Sequence, residues 1–256
     1  MAEKDATTII RVENVTAGYD GEAIIGNVSF DVKQGEVFVI LGGSGCGKST
    51  LLKHVIGLYK PISGRILIEG QDISAAEGAA LAAIQRRIGV TYQSGALFGS
   101  MTLMENVRLL LEEFTSLPNE AMDLIVRMKL KLVGLDGYEG YMPSEISGGM
   151  QKRAALARAM VLDPRILFFD EPSAGLDPIT SAGLDRLILR LARSLGITFV
   201  IVSHELSSIY AIADRIIMLD KETKGIVAEG KPEDLRDRSD NPRVRQFFRR
   251  EAEQEM

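Results

Sequence analysis

The chain alternates between short runs of uninterrupted apolar residues and longer stretches with helical periodicity. Val37-Phe38-Val39-Ile40-Leu41, Ile166-Leu167-Phe168-Phe169 and Thr198-Phe199-Val200-Ile201-Val202 are strand-sized and almost wholly apolar, the pattern of parallel strands buried on both faces. Each runs directly into polar chemistry: a glycine-rich loop, Asp170-Glu171, and Ser203-His204. Open α/β sheets bind ligands at the carboxyl ends of their strands, so these three ends are predicted to converge on one site. After Pro178, Leu184, Leu187, Leu191 and Leu195 recur at helical spacing, with Arg186, Arg190 and Arg193 on another face. That predicts an amphipathic crossover helix lying on the sheet. The N-terminal third differs. Ile9-Ile10-Arg11-Val12, Val28 to Val32 and Arg65 to Ile68 come close to alternation, which predicts antiparallel strands of a small flanking sheet. From Met101 to Val133 the pattern is helical, broken at Ser116-Leu117-Pro118-Asn119, where a proline suits a new helix start. This helical insertion ends in a helix predicted over Met150 to Val161.

Composition narrows the reading. A chain of 256 residues is long enough for one α/β domain with a subdomain. Its net charge of -5 argues against a general nucleic-acid binder. A single cysteine forbids an intrachain disulfide and fits a reducing compartment. The start, Met1 to Asp5, is polar and carries no apolar signal core. No run approaches the roughly 20 apolar residues that span a bilayer, so work at a membrane would pass through a partner. The tail from Pro232 is charge-rich, with Arg243, Arg245, Arg249 and Arg250 flanking Phe247-Phe248.

Gly42-Gly43-Ser44-Gly45-Cys46-Gly47-Lys48-Ser49 fits G-x-x-x-x-G-K-[ST] without a mismatch, between a predicted strand and a predicted helix. Glycines let successive backbone N–H groups turn toward phosphate oxygens, and the helix N-terminus adds positive charge. Lys48 is expected at the β/γ-phosphates of ATP and the Ser49 hydroxyl at Mg²⁺. Cys46 has no identifiable partner base, so it is expected to contribute backbone rather than a nucleophile. Asp170 is expected to hold Mg²⁺, directly or through water. Glu171 is then placed to polarise the attacking water. Of the two histidines, His54 is read as structural. His204, just past a buried strand, is placed to contact the γ-phosphate and orient the water. Gln93 also ends a predicted strand, and its amide is a candidate ligand for Mg²⁺ or water. Ser147-Gly148-Gly149 opens a predicted helix. From the residues alone, two readings stay open there: an anion site, or a serine cap with flexible glycines.

Together these residues resemble the nucleotide-binding subunit of ABC transporters, over roughly Ile9 to Gly230 and in that family's order. The resemblance implies an α/β P-loop NTPase fold, RecA-like, with a parallel-sheet core, an N-terminal antiparallel β-subdomain and an α-helical subdomain. It implies an ATPase domain over 8–231, with the helical part near 95–160, and a partner-contacting extension over 232–256. By the same resemblance Tyr19 is the aromatic that stacks on adenine, and Gly42 to Thr50 is the Walker A loop. Gln93 is the Q-loop glutamine and Ser147 to Gln151 the signature. Asp170 and Glu171 are the Walker B pair, Ser173 to Asp177 the D-loop, and His204 the switch histidine. Two subunits then sandwich two ATP molecules, each Walker A loop facing the other subunit's signature.

One departure is informative. The usual signature is Leu-Ser-Gly-Gly-Gln; here it is Ile146-Ser147-Gly148-Gly149-Met150, with the glutamine displaced to Gln151. Methionine cannot make glutamine's polar contacts. With the stretches Ala154 to Ala159, Gln93 to Phe98 and Asn241 to Phe248, this resembles the Mla-type lipid-transport ATPases. That resemblance implies a homodimer at the cytoplasmic face of the inner membrane that powers a transmembrane permease. It further implies an MCE-domain lipid-binding protein and a STAS-domain subunit as partners and phospholipid as cargo; the acidic net charge argues against nucleic acid as a partner. The alternatives are an importer ATPase for another solute and a soluble, non-transport ABC ATPase. For the tail two readings remain: docking on a sister subunit or STAS partner, or a solvated, partly disordered end.

Overall fold

The computed structural model describes residues 7–93 and 95–249. Met1 to Asp5, Ser94 and Arg250, named above, lie outside the described residues. Two long strands, β1 (Thr8–Tyr19) and β2 (Glu22–Lys33), form a hairpin, followed by the fully buried β3 (Val37–Gly42) and α1 (Lys48–Val55). β4 (Ser63–Ile68), β5 (Gln71–Asp72), α2 (Gly78–Gln85) and β6 (Ile88–Thr91) come next. The helical insertion holds α3 (Leu103–Phe114), α4 (Asn119–Leu132), a short 3-10 turn at Pro143–Glu145, and α5 (Gly148–Ala159). The chain closes with β7 (Ile166–Asp170), α6 (Pro178–Leu195), β8 (Thr198–Val202), α7 (Leu206–Ile212), β9 (Arg215–Asp220), β10 (Gly225–Gly230), α8 (Pro232–Arg238) and α9 (Pro242–Arg249).

Two sheets result: a four-stranded one ordered β2-β1-β4-β5 and a six-stranded one ordered β10-β9-β3-β8-β7-β6. The first is antiparallel throughout, as the near-alternation of its strands predicts. In the second, β9, β3, β8, β7 and β6 are parallel and only β10 runs against its neighbour. The three apolar runs of the sequence are therefore adjacent. Successive side chains on a strand point to opposite faces, and β3 shows what that does here. Val37, Val39 and Leu41 join one core with α3 to α7, while Phe38 and Ile40 join a second core with α1 and the antiparallel sheet. A strand buried on both faces has no polar side, hence the continuous apolar run.

Local chemistry sets the insertion. Thr102 and Glu105 form a reciprocal capping box at α3. Pro118 stands at the N-cap of α4, one residue earlier than a first-turn proline. α5 begins two residues ahead of the predicted Met150, because the Ser147 hydroxyl caps it, and ends at Ala159. It packs close to β6: a Cβ on Gly89 would lie 2.2 Å from the Ala159 carbonyl oxygen. On α6, Leu184, Leu187 and Leu191 are buried as predicted, but Leu195 is 51% exposed. Its turn runs past the end of the core, just ahead of the left-handed Gly196.

Among the described residues of the tail, α9 is packed onto the chain rather than left in solvent, while α8 is largely exposed. Val244 and Phe248 of α9 are buried in the chain's own core, the Phe248 ring lies 5.9 Å from that of Tyr210, and Arg243 pairs with Asp220 and Glu222. Apolar burial backed by charge pairs outweighs the polar composition that made the segment look solvated.

Candidate functional site

The glycine-rich loop leaves β3 and enters α1. Gly42 has φ 154°, and a Cβ there would lie 2.4 Å from the Leu219 carbonyl oxygen and 2.5 Å from Cys46 Sγ, so only glycine fits. Gly47 stands at the N-cap of α1 and offers no side-chain cap, which leaves first-turn N–H groups for an anion. Lys48 Nζ donates to the Gly42 and Gly43 carbonyls at 2.9 and 3.0 Å, which holds the ammonium over the loop. The Cys46 thiol faces inward; burial pushes its pKa up, with the Lys48 charge opposing. Buried and protonated, it is no nucleophile.

The pair Asp170-Glu171 is delivered by strand register. β7 and β8 align Asp170 with Val202, so residue 171 and residues 203–204 leave the sheet side by side. Ser49 Oγ donates to Asp170 Oδ1 at 3.2 Å. Burial pushes the Asp170 carboxyl above its usual range; the Ser49 hydrogen bond opposes this and the Glu171 charge adds to it. Glu171 adopts φ 51°, its N–H donates to the Val202 carbonyl at 2.9 Å, and Oε1 lies 2.8 Å from His204 Nδ1. Glu171 is mostly covered, at 12% side-chain exposure, whereas His204 is open at 62%. A hydroxyl and a carboxylate in contact form a hard-oxygen donor set of the kind that takes Mg²⁺ together with phosphate oxygens. Among the described residues no group of three or more His, Cys, Asp or Glu could hold a metal ion.

A cleft of about 680 Å³ brings Gly42, Gly43, Ser44, Gly45, Gly47, Lys48, Ser49, Thr50, Gln93, Glu171 and His204 together. It is also lined by Ile24 and Phe247, which no motif placed at the site. Phe247 arrives from a segment two hundred residues after the loop, a proximity only the packing of α9 creates. Lys152 is a further basic group near the site that the motifs missed. Burial lowers its pKa, while Glu171 and Asp170 oppose the shift.

Several expected residues lie outside this cleft. Tyr19 packs edge-on against Tyr59 at 4.9 Å and lies 6.0 Å from His54, forming an aromatic cluster behind the loop. His54 is buried, with Nδ1 2.8 Å from the Thr50 carbonyl, as a structural residue. Asp177 accepts from the N–H groups of Ile179 and Thr180 at 3.0 and 3.1 Å, so within this chain its carboxylate caps α6 rather than facing the cleft. The hydrogen bond from Thr180 holds that carboxyl below its ordinary range. Ser147, Gly148 and Gly149 are also absent from the cleft lining. Ser147 Oγ accepts from the Met150 N–H at 3.3 Å. The displaced Gln151 donates to the Pro143 and Ile146 carbonyls at 2.9 and 3.4 Å, which ties its amide to its own loop. The two glycine-bearing helix starts of one chain, at α1 and at α5, thus do not share this cleft.

The ABC transporter family matches residues 25–174. The chain belongs to this family. As an ABC ATPase it binds and hydrolyses ATP. It is 41% identical over 96% of its length, and 92% of the relative's, to an intermembrane phospholipid transport system ATP-binding protein, MlaF, from Haemophilus influenzae (strain ATCC 51907 / DSM 11121 / KW20 / Rd). It is 44% identical over 93% of its length, and 68% of the relative's, to a probable ribonucleotide transport ATP-binding protein, mkl, of Mycobacterium leprae (strain TN). Among solved structures it is similar to the dimeric post-hydrolysis state of the ATP-binding cassette MJ0796 bound to ADP and Pi. That match has TM-score 0.78 and 30% identity, covering 87% of this chain and 98% of the other. The ABC ATPase fold expected from the sequence is the fold observed.

Proposed function

We propose that this chain is the ATP-hydrolysing subunit of a lipid-transport ABC system, moving phospholipid between inner and outer membranes. The observation that carries this reading is the match to the phospholipid-transport protein over nearly the full length of both chains. The Met150 form of the signature agrees with it. Among the described residues no helix is long and apolar enough to cross a membrane, so transport requires transmembrane permease subunits. The subunit would sit peripherally on the cytoplasmic face of the inner membrane, with an MCE-domain protein and a STAS-domain subunit completing the complex.

The chemistry follows from the cleft. Amides of the Gly42–Thr50 loop hold the phosphates, and Lys48 neutralises charge on the β- and γ-oxygens. Ser49 and Asp170 would hold Mg²⁺, with Gln93 as a further oxygen donor; when bound, that ion offsets charge on the phosphate oxygens. Glu171 accepts the proton of a water whose oxygen attacks the γ-phosphorus. The bond to the β–γ bridging oxygen breaks, giving ADP and phosphate. His204, hydrogen-bonded to Glu171, orients it and reaches the γ-phosphate. Tyr19 stacks on the adenine. Ser147, Gly148 and Gly149 serve the nucleotide of a second subunit in a homodimer, with the segment at Asp177 near that interface. The dimeric relative supports this arrangement, as does the absence of Ser147 to Gly149 from the cleft that their own chain's phosphate loop lines. ATP drives closure only by as much as it favours the closed dimer over the open one.

The second reading is a transporter for another solute, favoured by the similarity to the probable ribonucleotide-transport relative. Purifying the native complex and identifying its subunits and bound small molecules separates the two. Copurified MCE protein and phospholipid is the expected result. A solute-binding partner without lipid would replace the lipid assignment and leave the ATPase chemistry intact.

A further inference from the structure

α5 carries two basic side chains that hold the loop after β6. Lys152 Nζ donates to the backbone carbonyl of Gln93. Arg158 donates from Nη1 to the Ala96 carbonyl at 2.8 Å and from Nη2 to the Gly95 carbonyl at 3.0 Å. Its guanidinium carbon lies 5.9 Å from the centroid of the Phe98 ring. Gly95 and Ala96 have φ of 73° and 50°, a left-handed pair. For Ala96 that conformation is disfavoured and persists where the surroundings hold it; here the holding group is a two-pronged guanidinium, suited by its planar fork to neighbouring acceptors. The loop lies along the helix: a Cβ on Gly95 would be 3.5 Å from that of Ala155 and 3.7 Å from the Gln151 carbonyl oxygen. The covalent path from Gln93 to Ser147 runs through α3, α4 and their loops. The path through space is the Lys152 side chain and the first turns of α5.

We propose that Lys152 and Arg158 are positioning residues that lock the Gln93 loop to the signature helix, so that the two ends of one chain move as a unit and couple the dimer's two ATP sites. This rests on the sandwich reading, in which Gln93 belongs to one site and Ser147 to Gly149 of the same chain to the other. Engagement of α5 by nucleotide in one site then sets the placement of Gln93 in the other. By linkage the effect is reciprocal.

The test measures hydrolysis by the full-length subunit against ATP concentration, at several subunit concentrations, for wild type, Lys152→Met, Lys152→Arg and Arg158→Lys. Lys152→Met keeps the length and apolar stem of the side chain and removes the donor. Wild type is expected to respond sigmoidally, with the second ATP favoured by about 5-fold or more. Lys152→Met and Arg158→Lys are expected to flatten the response toward a hyperbola, with coupling below about 2-fold. Melting temperature and nucleotide affinity at low subunit concentration are expected to match wild type, and Lys152→Arg to restore the sigmoid. A folded Lys152→Met protein with wild-type sigmoidality, or a hyperbolic wild type, would overturn the latch. Full hydrolysis by subunits that gel filtration with ATP shows to be monomeric would instead sink the sandwich reading.

Discussion

Glu171 shows how much one residue's surroundings decide. Its φ of 51° is unfavourable for a side chain with a Cβ. The strand register and the bond from its N–H to Val202 keep it there. The carboxylate is thereby turned toward His204 and the loop. Replacing Glu171 with Gln keeps the shape and removes the base. Hydrolysis should fall by about 10²- to 10⁴-fold, with ATP binding and dimer formation retained, as read by phosphate release and gel filtration with ATP. Undiminished turnover would remove Glu171 from the role of base. Asp185 on α6 makes a second residue-scale case. It is buried, and burial lifts its carboxyl above the usual range, with the Ser208 hydrogen bond opposing and Glu205 adding. A folded-state pKa above the unfolded one means that this group's contribution to stability is present at low pH and lost as pH rises through the folded value. Asp185→Asn, free of that ionisation, should melt higher than wild type at neutral pH. The difference should vanish once the pH drops below the ordinary aspartate value. A melting-temperature series over pH checks both the sign and the window.

At the scale of elements, close approach and late packing matter most. α5 can lie on β6 because position 89 has no side chain: a Cβ there would also come within 2.5 Å of Leu167 Cδ2. Gly89→Ala should cost about 1–3 kcal/mol by overpacking, seen as a lower denaturation midpoint, and should impair hydrolysis because the signature helix is displaced. α9 makes the complementary case. Phe248→Ala removes a buried ring and should cost about 3–5 kcal/mol in chemical denaturation. Were α9 a loose tail, the same change would leave the midpoint unmoved. The sequence showed the amphipathic character of α6 and the break before α4, since both are written in local spacing. It did not show α9, whose apolar residues are few and interspersed with arginines, so that burial is decided by the surface it meets.

For the whole molecule, the proposed pairing of one chain's phosphate loop with the other chain's signature predicts complementation. Lys48→Ala disables the loop and Ser147→Arg blocks the signature, so each variant alone should be inactive as a homodimer. Mixing them should create one intact composite site per mixed dimer and restore phosphate release that neither shows alone. Failure to complement, with both proteins folded and able to exchange subunits, would count against an active site built from two chains. Arg215 shows the same long-range logic inside one subunit. It bonds to Glu36, the Asp31 carbonyl and Glu229, and lies 4.9 Å from the centroid of the Phe38 ring. It thus joins the antiparallel hairpin to the start of the parallel sheet, a role that no local pattern around it announces.

The order of chemistry along the chain was legible because a phosphate loop, a strand-end carboxylate pair and a strand-end histidine are local devices. Each needs only its own strand, turn or helix start, and periodicity with glycine placement marks those. Gln93 and Ser147 were legible as candidates for the same reason. What the tertiary structure alone decided are relations between distant segments. It brought Phe247 and Ile24 to the cleft and turned Lys152 and Arg158 onto the Gln93 loop. It tied Gln151 to its own turn and left Ser147 to Gly149 out of the cleft that their own chain's phosphate loop lines. Those placements depend on strand order and on helices packing face to face, and side-chain spacing along a single segment carries no record of which segment will lie across from it.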